Sequence, residues 1–267
     1  MTNKIAIIDE EALNELKNSY PIEQSYQRKI FPRIGMVSQD KTEKVGKTVK
    51  LVAEAGMFYT EVQTDEVDEN EKKVYKKTDL GESMEGIIIF ERKQLKFYDQ
   101  PNNTFTSSPI FDNPEEIIPL FSNKQEVDRG TPKELKSRKK YQGLTAGGRP
   151  TSKLMDVRIL YVIVDGTLYQ MDLQGSSGYA FGDYKKKVQH PNTVLTVFNS
   201  EAKENGATKW NQMTFINKRP LKTDEVAEVL TLTREIINGL ASEKAYYSQP
   251  LQLTEDQKIA KAAVDNF

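Results

Sequence analysis

The sequence predicts a mostly β chain, on the evidence of two hairpins flanking a short helix between Asp156 and Ile216. The first hairpin runs from Val157 to Val164, turns at Asp165-Gly166 and returns from Thr167 to Leu173. The second runs from Thr193 to Phe198, crosses a longer connection containing Asn205-Gly206, and returns from Thr208 to Ile216. Asp-Gly and Asn-Gly are strong hairpin signals because both residues tolerate the positive φ of a type I′ turn. Between the hairpins, Gly178 to Val188 reads as a helix. A helix between the third and fourth strands of a small antiparallel barrel is the layout of an OB-fold, which is widely used to bind single-stranded nucleic acid. The expected fold is therefore mostly β (α+β): an OB-like antiparallel barrel with long loops and a C-terminal helix.

The remaining elements follow in order. Asp9 to Tyr20 carries a helical stripe of Ala12, Leu13 and Leu16, with Asp9 as N-cap and Pro21 as stop. Residues 22–46 read as irregular. Lys47 to Gln63 reads as a strand pair or one bent strand, with Gly56 at the turn or bulge. Asp65 to Glu71 reads as a solvated acidic loop. Ile87 to Phe90 reads as a strand buried on both faces, Glu91-Arg92-Lys93 as a charged turn, and Leu95 to Tyr98 as the next strand. Residues 99–123, rich in Asn, Ser, Thr and Pro, read as a long surface loop with a small helix near Pro114 to Ile118. Thr223 to about Tyr246 reads as one helix, capped by Thr223, with Val226, Val229, Leu230, Thr233, Ile236, Ile237 and Leu240 as its buried stripe. Three regions result: an N-terminal helix and irregular arm over 1–46, an OB-like β domain over 47–222 with a basic loop insertion at 124–155, and a C-terminal helix and tail over 223–267.

Composition narrows the classes. Lys plus Arg is 38 against 39 Asp plus Glu, so net charge marks no nucleic-acid binder and the distribution must carry that argument. Cysteine is absent, which excludes disulfides and thiolate metal sites and fits a reducing cytoplasm. The apolar run Ile5 to Ile8 is too short for a signal peptide, and no run approaches the roughly 18 residues that span a membrane.

No catalytic constellation stands out. His190 is the single histidine and has no Ser or Asp at useful spacing. The run Gly147 to Lys153 lacks Walker spacing, and Pro150 would spoil an amide cradle. Asp9, Glu10 and Glu11 read as a helix start rather than a Mg²⁺ site. The expectation is no enzyme, no cofactor and no metal.

The basic segment is the stronger signal. Residues 124–158 hold ten cations against four carboxylates, an excess of six positive charges. Single strands need cations for phosphates and flat rings for unpaired bases. Lys136, Arg138, Lys139, Lys140, Arg149, Lys153 and Arg158 are the candidate cations, with Tyr141 as a ring beside them. Tyr184 and Lys185 on the helix, and Tyr161 and Trp210 on the strands, are the other candidates. The competing reading makes the loop a solvated surface and the strand rings core.

Three stretches carry a resemblance: "ILYVIVDGTLYQMDLQ", then "GSSGYAFGDYKKKV", then "TVLTVFNSEAKENGATKWNQMTFI", with "ESMEGIIIFERKQLKFYD" as an earlier β unit. In this order, after a basic loop, they resemble the single-stranded DNA-binding proteins encoded by tailed phages, over about half the chain. The resemblance implies an OB core that coats DNA in phage replication or recombination, in the host cytoplasm. Such proteins often end in an acidic tail with a terminal phenylalanine that docks replication or recombination proteins. Here Phe267 follows Asp265, but Lys258, Lys261 and an alanine run depart from that pattern. The alternative reading is a non-enzymatic phage structural or host-interaction protein that uses a β-barrel to bind protein. A nuclease with scattered carboxylates is a third.

Overall fold

A computed structural model describes residues 31–45, 48–67, 73–99, 102–123, 125–144, 148 and 150–248. The helix expected at Asp9 to Tyr20, the Arg149 site and the C-terminal tail lie outside the described residues. β1 (Arg33–Met36) leads to a separate hairpin of β2 (Lys41–Val45) and β3 (Thr48–Ala53), then to β4 (Phe58–Val67) and β5 (Lys73–Gly81). Next come β6 (Ser83–Asp99), β7 (Thr104–Ser107), β8 (Ile118–Ser122) and β9 (Gln125–Gly130). A short helix α1 (Pro132–Ser137) and a small hairpin of β10 (Gln142–Leu144) and β11 (Pro150–Ser152) precede β12 (Met155–Val164) and β13 (Thr167–Leu173). After them run α2 (Gly175–Val188), β14 (Val194–Asn205), β15 (Thr208–Pro220) and α3 (Thr223–Ser248).

The chain is mostly β and its main sheet is mixed. The strand order is β5-β4-β1-β13-β12-β6-β7-β8-β9, with β14 on β6 and β15 on β14. Only the β1–β13 pair is parallel among these described pairs. Strand pairing does not close this sheet into a barrel. Two hydrogen bonds tie β15 to the segment just past β1: the Asn211 N–H donates to the Ser38 carbonyl and Gln39 Nε2 to the Lys209 carbonyl, each at 2.7 Å.

Both faces of the central strands are buried. Alternation sends successive side chains of β12 to opposite sides. Val157, Ile159, Tyr161 and Ile163 join a cluster sealed by Val226, Val229, Leu230 and Ile236 of α3. Leu160, Val162 and Val164 face the other way, into a cluster with Phe58, Phe198, Met213 and the α2 rings Phe181 and Tyr184. A third cluster joins Leu95, Phe111, Leu120, Leu135, Tyr141 and Leu154 below the β7–β9 extension.

The two hairpins, the helix between them and the α3 stripe through Ile236 form where the sequence places them. At the first turn Asp165 and Gly166 both take positive φ, 47° and 71°. Other expectations are corrected. Glu91-Arg92-Lys93 is no turn: β6 runs through it, because each charge finds a distant partner or the solvent-facing cleft described below. Residues 99–123 are not one loop but contain β7 and β8, and 114–116 form a turn and bend rather than a helix. Residues 22–46 include β1 and β2, and Asp65 to Val67 belong to β4. The second hairpin has no long connection, since β14 and β15 pair as far as Asn205 opposite Thr208. The stretch 124–155 is not a plain loop: it carries β9, α1, β10 and β11. No helix among the described residues is long and apolar enough to cross a membrane.

Candidate nucleic-acid interface

Two adjacent strands and one short helix build a cationic cleft of about 410 Å³. It is lined by Lys93, Phe111, Pro114, Glu115, Pro132, Lys133, Lys136, Asp156 and Arg158. Arg158 of β12 lies directly opposite Lys93 of β6, so the two side chains share a face. Helix α1 is fixed by a capping box between Thr131 and Glu134, with Pro132 in its first turn. Lys133 and Lys136, three apart on one helix face, then line the same cleft. Lys136 is bound to Asp156, while Lys93 and Lys133 form no ion pair among the described residues. Four cations thus meet two carboxylates above a floor of Phe111 and two prolines.

Beneath the cleft lies a charged triad. The Glu91 side chain, only 6% exposed, accepts hydrogen bonds from Arg158 on one oxygen and Lys185 of α2 on the other. Burial pushes the Glu91 carboxyl up, but the bonds and charges of Lys185 and Arg158 outweigh it and hold the group below its ordinary 4.5. The Arg158 guanidinium also lies over the Phe181 ring, 5.9 Å from its centroid. A Cβ on Gly182 would sit 3.3 Å from Arg158 Nη2, so the glycine leaves room for the guanidinium against the helix.

An acid dependence follows. A carboxyl that titrates lower when folded stabilises the fold fully above its unfolded value and loses that contribution as pH falls through the folded one. The urea midpoint should therefore drop as pH is lowered from about 6 to about 3, and Glu91→Gln should flatten that drop. An identical pH profile in the variant would rule out Glu91 as a contributor.

The other sequence candidates are scattered. Arg138 and Lys140 both pair with Asp128, whose side chain is 6% exposed. Arg129 is tied to Glu126. Five of the ten cations of 124–158 are thus held in ion pairs, with Arg158 on Glu91 drawing on a carboxylate outside the segment, so the segment keeps its net positive charge but its cations are fixed rather than free. Lys139 and Lys153 form no ion pair among the described residues. Lys153 lies along Gly143 of the small hairpin. Three nominated rings are buried: Tyr141 against Phe97, Tyr161 in the α3-sealed cluster, and Tyr184 with its hydroxyl 2.7 Å from that of Thr196. None presents a face to solvent. Trp210 is half-buried and donates its indole N–H to Ser176 Oγ at 3.1 Å.

The structure brings together Lys136, Arg158 and, through Glu91, Lys185. Lys93 and Lys133 complete the cleft and were not singled out from sequence. Reading Glu91 to Lys93 as strand would have put Glu91 and Lys93 on one face, but only the β6–β12 register sets that face beside Arg158. Tyr98 and Phe105 were also missed. They are half-exposed, at 52% and 50%, and directly opposite each other on β6 and β7. Comparison with protein-family models, characterised proteins and solved structures finds no match to this chain.

Proposed function

We propose that this chain binds single-stranded DNA without strong sequence preference and without covalent chemistry. The observation that carries the proposal is the cleft in which Lys93, Lys133, Lys136 and Arg158 face one space against only Glu115 and Asp156. Cations arrayed along a groove suit a phosphate backbone. An OB-like core is part of the same reading. β12 pairs with β6 across the β7–β11 excursion and with β13 through a hairpin, α2 follows, and the β14–β15 hairpin returns to pair with β6. This order of pairings supports an OB-like reading, with β1 beside β13 where a closing strand would stand. OB-folds commonly bind on the face of their second and third strands. Here α3 packs on the outward face of β12, which leaves the cleft as the cationic path. The setting in phage replication or recombination, in the host cytoplasm and with replication partners, rests on the family resemblance alone.

The test is a fluorescence titration with oligo-dT at about 50 and about 200 mM salt, where binding to single strands weakens with a log–log slope near 0.7 per phosphate neutralised. Wild-type protein should show this loss, and Lys93→Ala with Lys133→Ala should lower the slope by about 1.4. No binding at low salt would sink the proposal, and salt-insensitive binding would favour the protein-interaction alternative.

A further inference from the structure

The geometry points to Glu91 as a positioning residue that fixes the Arg158 guanidinium as donor to a backbone phosphate of the bound strand. The inference rests on the single-strand reading above. A carboxylate repels phosphate, so a glutamate beneath a cationic cleft at first opposes that function. Its surroundings argue the reverse. Arg158 has five N–H donors, and among the described residues its side chain donates to Glu91 Oε1 alone. The guanidinium is bonded to Glu91 through one nitrogen and lies over the Phe181 ring, and Gly182, lacking a Cβ, leaves it room beside Nη2. Arg158 keeps 31% of its side chain exposed and lines the cleft. A guanidinium held in this way gives its remaining donors to a phosphate fork without first being ordered. Lys185, on the other oxygen of Glu91, leaves the triad with one net positive charge.

Simple electrostatics and positioning predict opposite signs for one substitution. Glu91→Gln removes a negative charge. If Glu91 only neutralises its neighbours, oligo-dT should bind more tightly and the salt slope should steepen by about 0.7. If Glu91 positions Arg158, affinity should fall by about tenfold to a hundredfold, the range for losing one charge-assisted hydrogen bond, and the slope should become shallower. Gly182→Ala supplies a second variant that leaves every charge in place. Its new methyl would press on Arg158 Nη2 at 3.3 Å, while alanine favours the helix. Gly178→Ala is the matched control, because a methyl there meets Arg158 Cδ at an ordinary 4.0 Å.

The expected result is weakened oligo-dT binding by Glu91→Gln and Gly182→Ala, with Gly178→Ala at wild-type affinity. If Glu91→Gln does not fold, Gly182→Ala against Gly178→Ala decides. Tighter binding by Glu91→Gln, or wild-type affinity in Gly182→Ala, would overturn the inference while leaving the single-strand reading intact. Wild-type protein that binds no oligo-dT would remove both.

Discussion

Val229→Asp in the full chain is expected to lose the cooperative thermal transition, the largest effect foreseen for any single change considered. Val229 is wholly buried on α3, in the cluster that also holds Ile159 and Tyr161 of β12 and Phe90 of β6. The stripe Val226, Val229, Leu230, Thr233 and Ile236 follows helical spacing, so this one face carries the contact. A carboxylate at its centre replaces apolar packing with a charge, and a poorly compensated buried charge is among the few changes that exceed about 4 kcal/mol. Ordinary domains hold only about 5–15 kcal/mol in total. Ala227→Asp, on the exposed side of the same helix, should stay within about 0.5 kcal/mol of wild type. Circular dichroism melts of both variants supply the measurement. A Val229→Asp melt within a few degrees of wild type would show that α3 does not seal this face.

Tyr161→Ala should come second, and it separates core from binding surface. The ring is 2% exposed, edge-on to Phe31 at 5.4 Å and tilted against Phe90 at 5.8 Å. Deleting a buried aromatic costs about 3–5 kcal/mol. For a chain of this size each kcal/mol moves the melting temperature by about 2–4 °C, so a drop on the order of 10 °C is expected. Oligo-dT affinity of the folded fraction should not change. A variant with wild-type melting behaviour and lost DNA binding would falsify the placement of this ring in the core. Arg138, Lys139 and Lys140 belong in the same comparison. Replacing all three strips Asp128 of its cations, so that change would perturb the fold as well as the surface charge.

What the sequence could reveal divides by the range of the interactions involved. The Asp165-Gly166 hairpin, α2 and the α3 stripe depend on turn chemistry and short-range periodicity, and all three could be read directly. Glu91, Arg92 and Lys93 resembled a turn because three charges in a row seldom lie within a buried strand. Their partners explain the exception. Glu91 meets Arg158 and Lys185, 67 and 94 positions away, and Arg92 meets Asp112, 20 positions away. No window along the chain contains those pairs. The cleft suffered from the same blindness. Lys136 and Arg158 could be nominated from local charge, but Lys93 joins them only through the β6–β12 register. Charge counting included Asp128 but could not show it turned inward, pinning Arg138 and Lys140 in place.

The length and position of β6 bear on how the chain is made. One strand supplies Ile87 and Phe90 to the first cluster, Met84 and Ile88 to the second and Leu95 to the third. Its central partner β12 begins at Met155, and the β14 residues that pair with its start lie beyond Val194. During synthesis the ribosome must add dozens of residues after Ile87-Ile88-Ile89-Phe90 before anything can pair with that run, several seconds at about 5–20 residues per second. The apolar run at the heart of β6 is thus born an orphan, with two bare edges. Its charged stretch Glu91-Arg92-Lys93 then serves a second purpose, as a break in what would otherwise be an unguarded adhesive segment on the nascent chain.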